Sequence, residues 1–196
     1  MNTYVYKLND AYYINLTNAC TNNCTFCLRN EHSGVGGYDL TLSRDPEAAD
    51  IIAELERIPD VKTAVFCGLG EPTMRLDVLL EVARYLKSRG VHVRLNTNGQ
   101  GSVFNGEDIA PKLRGLVDTV SISLNAPDAA QYDRLCLSIY GEEAYTHMLD
   151  FAQSCVAQGI ETILSVVDLI GEDAIEHCRS IAEGLGAKLR IRRYIE

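Results

Sequence analysis

Three cysteines, Cys20, Cys24 and Cys27, lie within eight positions of the chain, in the stretch ACTNNCTFC. Thiolates are soft ligands for zinc and for iron-sulfur clusters, and such sites normally close with four ligands. Three thiolates on one short loop can hold three irons of a 4Fe-4S cube, which leaves the fourth iron open to an exchangeable ligand. The pattern therefore indicates a metal centre that is one protein ligand short.

Two other kinds of site fit the same three thiols. His32 can complete a four-ligand zinc site, which would make the chain a non-catalytic zinc-binding or regulatory protein. A cluster with a structural or electron-transfer role is the other alternative, and such a protein would bind no nucleoside. The remaining cysteines stand singly, and we expect them to be small buried side chains: Cys67, Cys136, Cys155 and Cys178.

Length and charge limit the classes of protein that fit. The chain has 196 residues, with 27 acidic and 18 basic side chains and a formal net charge of -9. This length fits one domain, so we expect residues 1–196 to form a single one. The negative charge argues against a general nucleic-acid or anionic-membrane surface. The sequence shows no apolar run of membrane-spanning length and no secretory leader, and its thiols fit a reducing compartment, so we expect a cytoplasmic protein.

Short β-type segments alternate with segments of helical period along the chain. A repeating unit of about 30 residues is the size of a β-α-β crossover, which makes the strands parallel. The predicted fold class is α/β, a partial (β/α)6 barrel of the TIM type with parallel strands. The six predicted strands are residues 12–17, 62–67, 91–96, 119–125, 162–167 and 189–193.

The helices are marked by residues typical of their ends. Asp45 is predicted to be the N-cap of the first helix, with Pro46 at its first helical position. Gly90 and Gly159 are expected to end two later helices, since glycine readily takes the left-handed conformation there.

The predicted strands alternate apolar and polar side chains, whereas parallel strands covered on both faces usually read as continuous apolar runs. If helices cover the apolar face, the polar side chains point into the barrel lumen. Each unpaired buried polar group costs about 1 to 3 kcal/mol, so a bound polar ligand is expected there. An antiparallel sheet with one solvated face is the alternative. The polar set includes Asn15, Thr17, Arg94, Asn96, Thr119, Ser121, Ser123, Asn125, Arg190 and Arg192.

Three segments resemble motifs of one enzyme family. The stretch CTNNCTFC resembles the CxxxCxΦC signature of the radical S-adenosylmethionine (radical SAM) superfamily, with the aromatic Phe26 before the last cysteine. FCGLGEPTMR, after the second strand, resembles the GGEP segment of that family, although Leu69 stands at one glycine position. LNTNG and SISLNAP resemble its third-strand and fourth-strand ends. Within the superfamily, NLTNACTNNCTFCLRN and CGLGEPTMRLD resemble the radical SAM proteins associated with TatD-family hydrolases.

The resemblance implies a cofactor pair and a reaction. The amine and carboxylate of S-adenosylmethionine would bind the fourth iron, and the reduced cluster would cleave this molecule to methionine and a 5′-deoxyadenosyl radical that removes hydrogen from a substrate. It also implies an external one-electron donor and a functional link to a TatD-family hydrolase. By resemblance the metal ligands are Cys20, Cys24 and Cys27, and the cofactor-binding residues are Phe26, Gly68, Gly70, Glu71, Asn96, Ser123, Asn125 and Val167.

Three arginines of the polar set, Arg94, Arg190 and Arg192, suggest the charge of the substrate. Planar guanidinium groups suit carboxylate and phosphate, so we expect a small anionic substrate. Equally consistent is that these arginines pair with an internal acid, such as Glu71 or Asp168. An alternative function that fits a chain of this length is that of an activase acting on a glycine of a partner protein.

Overall fold

The computed structural model describes residues 2–30 and 32–193 of the chain. Its strands are β1 (Val5–Leu8), β2 (Ala11–Ile14), β3 (Gly34–Val35), β4 (Tyr38–Asp39), β5 (Thr63–Phe66), β6 (His92–Thr97), β7 (Thr119–Ser123), β8 (Glu161–Val167) and β9 (Lys188–Arg192). Its α-helices are α1 (Ala48–Leu55), α2 (Leu76–Ser88), α3 (Gly101–Asn105), α4 (Ala110–Leu113), α5 (Ala129–Cys136), α6 (Glu143–Ala157) and α7 (Glu172–Gly184). Two short 3-10 helices span Leu28–Asn30 and Pro72–Arg75.

One sheet in the order β1-β2-β5-β6-β7-β8-β9 forms the centre of the fold. All strands from β2 to β9 in this order pair in parallel, and only β1 pairs antiparallel, with β2. Helical crossovers connect the six parallel strands, as the sequence rhythm requires. The sheet curves without closing, so the predicted α/β fold with a partial barrel is confirmed.

The alternation along the strands separates two faces. Val93 and Leu95 of β6, like Val120 and Ile122 of β7, are fully buried in the hydrophobic core beneath the helices. The intervening polar residues face the concave side of the sheet, where most of them line a cavity. The prediction of a polar lumen is therefore confirmed for β6 and β7.

The first parallel strand departs from this prediction. It ends at Ile14, before the predicted Thr17. Asn15 donates to the carbonyl of Leu40 at 2.7 Å, and Thr17 donates from its hydroxyl to Asp45 at 3.0 Å. These two polar side chains thus tie the chain after β2 to the segment before α1, and neither lines the cavity.

The N-cap prediction for α1 was wrong by two residues. The N-cap is Glu47, whose main-chain nitrogen donates to the carboxylate of Asp50 at 2.9 Å. Asp45 instead forms an ion pair with Arg75 at 3.1 Å. Its carboxylate is held by partners distant in the sequence, which local pattern does not show. Gly90 and Gly159 do take left-handed conformations after α2 and α6.

Two elements had no counterpart in the sequence prediction. The antiparallel edge strand β1 carries Tyr6, which is buried against Tyr13 with ring centroids 5.4 Å apart. The hairpin β3-β4 turns at Gly36 and Gly37, both with positive φ, as two-residue hairpin turns require. Among the described residues, no helix is long and apolar enough to cross a membrane.

At the end of the barrel opposite the cavity, Asp118 joins three elements. Its carboxylate accepts from Lys87 Nζ at 2.8 Å and from the main-chain nitrogen of Val93 at 2.7 Å. Although partial burial raises the pKa of Asp118, these donors more than offset it, and the net pKa lies below the usual range. The ionised carboxylate therefore stabilises the start of β6 and the end of α2.

We expect Asp118→Asn to lower the free energy of unfolding by about 1 kcal/mol at pH 7, since one charge-assisted hydrogen-bond set is weakened at a partly exposed site. The folded-state pKa is depressed, so this contribution is present above the unfolded pKa of about 3.9 and is lost as pH falls through the folded value. Urea unfolding at pH 7 and near pH 3 measures both. The control Glu176→Gln removes an exposed ion pair with Arg179; equal losses in both variants at pH 7 would contradict the assignment.

Candidate functional site

A cavity of about 380 Å³ lies at the carboxyl ends of the parallel strands, where folds of this type place their ligands. It is bounded by the segment between β2 and α1, by the loop after β5, and by the lumen face of the sheet. The predicted site residues that line it are Cys20, Cys24, Phe26, Cys27, Gly68, Gly70, Glu71, Arg94, Asn96, Ser123, Asn125 and Arg192. Two predicted residues do not line it, Val167 and Arg190.

The three cysteines lie in residues 17–30, here called the cysteine loop. Its outer side pairs with the last residues of α5: the nitrogen of Asn23 donates to the carbonyl of Cys136 at 3.0 Å, and that of Thr25 to the carbonyl of Leu135 at 2.9 Å. Asn22 and Ser138 form an isolated antiparallel bridge beside them. The cysteine loop is therefore held by main-chain hydrogen bonds to residues that lie more than 100 positions later in the sequence.

The sulfur atoms have hydrogen-bond donors of their own. The nitrogen of Asn22 approaches Cys20 Sγ at 3.4 Å, and Arg29 Nε approaches Cys27 Sγ at 3.3 Å. Burial, with the nearby carboxylate of Glu71, raises the pKa of the Cys20 thiol to about 11. A metal overcomes such a shift, since a coordinated thiol is deprotonated outright.

These residues fit a cluster better than a zinc ion. Three soft thiols line one cavity, and two of their sulfurs already accept hydrogen bonds of the kind that set the reduction potentials of iron-sulfur clusters. Within residues 2–30 and 32–193 no three His, Cys, Asp or Glu side chains are already gathered around one metal position. His32 is exposed and borders a separate shallow pocket at the β3-β4 hairpin. The zinc alternative that uses His32 is therefore unsupported.

Cys136 is fully buried, as expected of a lone cysteine, yet it contacts the cysteine loop. A hydrogen bond with Cys136, together with burial, raises the pKa of the Cys24 thiol. Asn125 Nδ2 approaches the sulfur of Cys136 at 3.6 Å. A fourth thiol therefore lies next to Cys24, which the spacing of the sequence did not indicate.

Glu71 is the centre of the hydrogen-bond network beneath the cavity. It is 4% exposed, and its Oε1 accepts from Thr73 Oγ1 and Thr97 Oγ1, both at 2.7 Å, and from the nitrogen of Thr73 at 3.1 Å. Its Oε2 accepts from the nitrogen of Asn98 at 2.7 Å. Burial raises the pKa of Glu71, and these donors oppose the rise. Since a carboxylate has about four acceptor positions, Oε2 keeps the capacity for a further donor.

The GLGEP loop packs directly under the cysteine loop. The nitrogen of Glu71 donates to the carbonyl of Ala19 at 2.8 Å. A Cβ at Gly70 would collide with the carbonyl oxygens of Thr17 and Ala19, so only glycine fits there. A Cβ at Gly68 would likewise collide with the side chain of Asn15.

A second layer of polar residues, which sequence reasoning missed, supports the cysteine loop from β6. Asn98 Nδ2 donates to Thr21 Oγ1 at 2.8 Å, and Gln100 Nε2 donates to Asn22 Oδ1 at 2.8 Å. Gln100 is 1% exposed. Asn98 lies in the LNTNG segment, whereas the only sequence signal for Gln100 is its position just after the end of a lumen-facing strand.

Two lumen arginines donate to amide oxygens. Arg94 donates from Nε to Asn96 Oδ1 at 2.8 Å, and Arg192 donates from one Nη to Asn125 Oδ1 at 3.3 Å. The buried Nε of Arg192 has no hydrogen-bond partner within the described part of the chain. No ion pair among the described residues includes either arginine or Arg190, so pairing with Glu71 is not what the structure shows.

Electrostatics at these arginines favour a negative ligand. Burial lowers the pKa of Arg94 and of Arg192, and the positive charge of the exposed Arg190 lowers both further. Like charges gathered around one cavity repel, and an anion would relieve that repulsion.

Comparisons with known proteins agree with this geometry. The family model described as the Radical SAM superfamily matches residues 14–183. A tungsten-containing aldehyde ferredoxin oxidoreductase cofactor-modifying protein of Pyrococcus furiosus is 28% identical over 122 residues, which cover 61% of this chain and 32% of that protein. The chain thus spans about a third of the length of this curated relative.

Solved structures share the fold at low identity. Streptococcus suis SuiB, in a crystal structure bound to S-adenosylmethionine, has a TM-score of 0.72 at 16% identity over 94% of this chain and 40% of SuiB. A radical SAM methyltransferase from Sphaerobacter thermophilus has a TM-score of 0.63 at 14% identity over 96% of this chain and 68% of its own. Because the family model spans most of the sequence, the chain belongs to the radical SAM superfamily, with a 4Fe-4S cluster and S-adenosylmethionine as its cofactors.

Proposed function

We propose that the cysteine loop holds the cluster through Cys20, Cys24 and Cys27, and that the chain uses it to abstract hydrogen from a small anionic substrate bound in the barrel lumen. The observation that carries this proposal is one cavity lined by the three thiols, by the GLGEP loop (residues 68–72) and by Arg94 and Arg192. When bound, the cluster supplies one electron to S-adenosylmethionine, whose cleavage gives methionine and the 5′-deoxyadenosyl radical.

The chain's own contribution is to bind and orient the nucleoside. Glu71 Oε2 accepts a hydrogen bond from the amine, and Gly70 lets the ligand approach the main chain. Phe26, at the cavity wall, packs against the adenine. The remaining lining groups proposed to contact S-adenosylmethionine are Gly68, Asn96, Ser123 and Asn125. Val167 lies outside the cavity lining, so a contact with adenine at this position requires the ligand to extend past the end of β8.

The substrate is proposed to carry a carboxylate or phosphate between Arg94 and Arg192. Both arginines line the cavity, and among the described residues each guanidinium uses one N–H donor, to Asn96 and to Asn125 respectively. A bidentate acceptor would satisfy the remaining donors better than water does. Arg190, being exposed and outside the cavity, contributes its charge rather than a contact.

The reaction needs a one-electron donor from outside the chain. A functional link to a TatD-family hydrolase and a cytoplasmic location belong to the same proposal, and the seven free cysteines support a reducing compartment. The alternative, an activase that lays a partner protein across the cavity mouth, draws support from the exposed apolar side chain of Leu28 in the cavity lining.

Deoxyadenosine formation tests the proposed chemistry. The protein is purified without oxygen, reconstituted with iron and sulfide, reduced with dithionite and supplied with S-adenosylmethionine. Wild type is expected to form 5′-deoxyadenosine and Cys24→Ala to form none, because one of the three thiolates is missing. Cys178→Ala, which changes a buried cysteine of α7, is expected to retain the rate. A colourless protein that contains zinc and forms no deoxyadenosine would refute the enzyme proposal.

The anion site predicts an unusual change in stability. Arg192→Met removes a partly buried charge that forms no ion pair within the described residues, and it keeps much of the side-chain volume, so the ligand-free protein should gain about 1 kcal/mol in free energy of unfolding. Succinate should raise the unfolding temperature of wild type above that in chloride at equal ionic strength, and this difference should disappear in the variant. The control is Arg190→Met, at the exposed position. A destabilised Arg192→Met protein that still responds to succinate would rule out this residue as the anion ligand.

A further inference from the structure

Arg29, two residues after Cys27, lies across the inside of the cysteine loop. Its Nη2 donates to the carbonyl of Asn22 at 2.9 Å, and its Nη1 donates to the carbonyl of Asn18 at 3.2 Å. Its Nε approaches Cys27 Sγ at 3.3 Å. One partly buried side chain thus makes three contacts, all with the cysteine loop.

These contacts join the two ends of the proposed ligand set. Asn18 and Asn22 stand two residues before and two residues after Cys20, whereas Cys27 is the last of the three thiols. The outer side of the loop is paired with the end of α5, but those main-chain bonds involve Asn23 and Thr25. On the inner side, the guanidinium of Arg29 therefore connects the residues that flank Cys20 to the sulfur of Cys27.

The contact with sulfur carries a second consequence. A cationic N–H beside a thiolate stabilises negative charge on that sulfur, and hydrogen bonds to cluster sulfurs are among the features that set cluster potentials. Reduction adds one electron, hence one negative charge, to the cluster. A donor of this kind stabilises the reduced form more than the oxidised form and raises the potential.

We propose that Arg29 is a positioning residue with two effects: it holds the cysteine loop in the shape that binds the cluster, and its Nε–H to Cys27 raises the cluster's midpoint potential. Neither effect depends on which substrate the enzyme uses. Both apply to the loop before S-adenosylmethionine binds.

A lysine at position 29 could not form the same three contacts. The guanidinium is a planar fork with five N–H donors, and here it places three of them on three acceptors at fixed angles. An ammonium keeps the charge but lacks the fork. Arg29→Lys and Arg29→Gln therefore separate the effect of geometry from that of charge.

The test compares wild type, Arg29→Lys, Arg29→Gln and the control Arg179→Gln, which removes an exposed arginine of α7. Circular dichroism of each ligand-free chain first establishes that it is folded. Iron loss to a chelator is then timed on the anaerobically reconstituted proteins. An EPR-monitored redox titration without S-adenosylmethionine or substrate gives the midpoint potential.

We expect both Arg29 variants to lose iron about tenfold faster than wild type, the scale typical of losing a support behind a metal ligand. We expect the midpoint potential to be more negative in Arg29→Gln, with Arg29→Lys between it and wild type. A folded Arg29→Gln protein that takes up no iron also supports the loop-holding role. In that case the midpoint potential of Arg29→Lys is compared with that of wild type. Iron retention and potential equal to wild type in both variants would overturn the proposal, and faster iron loss with an unchanged potential would overturn its electrostatic half.

Discussion

The buried carboxylate of Glu71 is the interaction on which the rest of the site depends. Four hydrogen bonds to it bring the end of β6 and the short helix after Pro72 to one point, and the main-chain nitrogen of Glu71 ties the cysteine loop to that point through Ala19. A charge buried this deeply is tolerated only when its acceptors are satisfied. Removing the carboxylate would leave Thr73, Thr97 and Asn98 with unpaired donors below the cavity floor. The position of the proposed cluster ligands thus depends on how the end of β6 packs against the segment that follows β5.

The second constraint is the division of the strands into an apolar face and a polar face. The helices cover the apolar side so fully that Val93, Leu95, Val120 and Ile122 have no exposed surface. The polar side chains are left on the concave face, where each has to find a partner or a ligand. Asn96 and Asn125 each accept one hydrogen bond from a lumen arginine, Asn96 from Arg94 and Asn125 from Arg192. We propose that a negatively charged ligand completes this face.

Sequence reasoning predicted what local pattern determines. The three thiols, the strand-helix rhythm and the alternation along β6 and β7 are all readable over a few neighbouring residues, and the partial barrel follows from them. The position of the α1 N-cap was predicted wrongly because Asp45 is held by Thr17 and Arg75, contacts that no local pattern shows.

The same limit hid several residues of the candidate site. The partners of Glu71, the contact between Cys24 and Cys136, and the three bonds of Arg29 form between segments that only the fold brings together or between loop atoms without a regular pattern. A thiol such as Cys136 reads in sequence as an ordinary small buried side chain, which it also is. Its distinguishing feature is its neighbour.

EPR spectroscopy of the anaerobically reconstituted, dithionite-reduced protein, recorded with and without S-adenosylmethionine, tests most directly whether three loop thiols leave one iron open to this ligand. The predicted result is a cluster signal whose g values change when S-adenosylmethionine is added, with the same change in a Cys136→Ala variant. A signal that S-adenosylmethionine leaves unchanged in wild type, and that responds to it only after Cys136→Ala, would contradict the open iron. It would identify Cys136 as a fourth protein ligand.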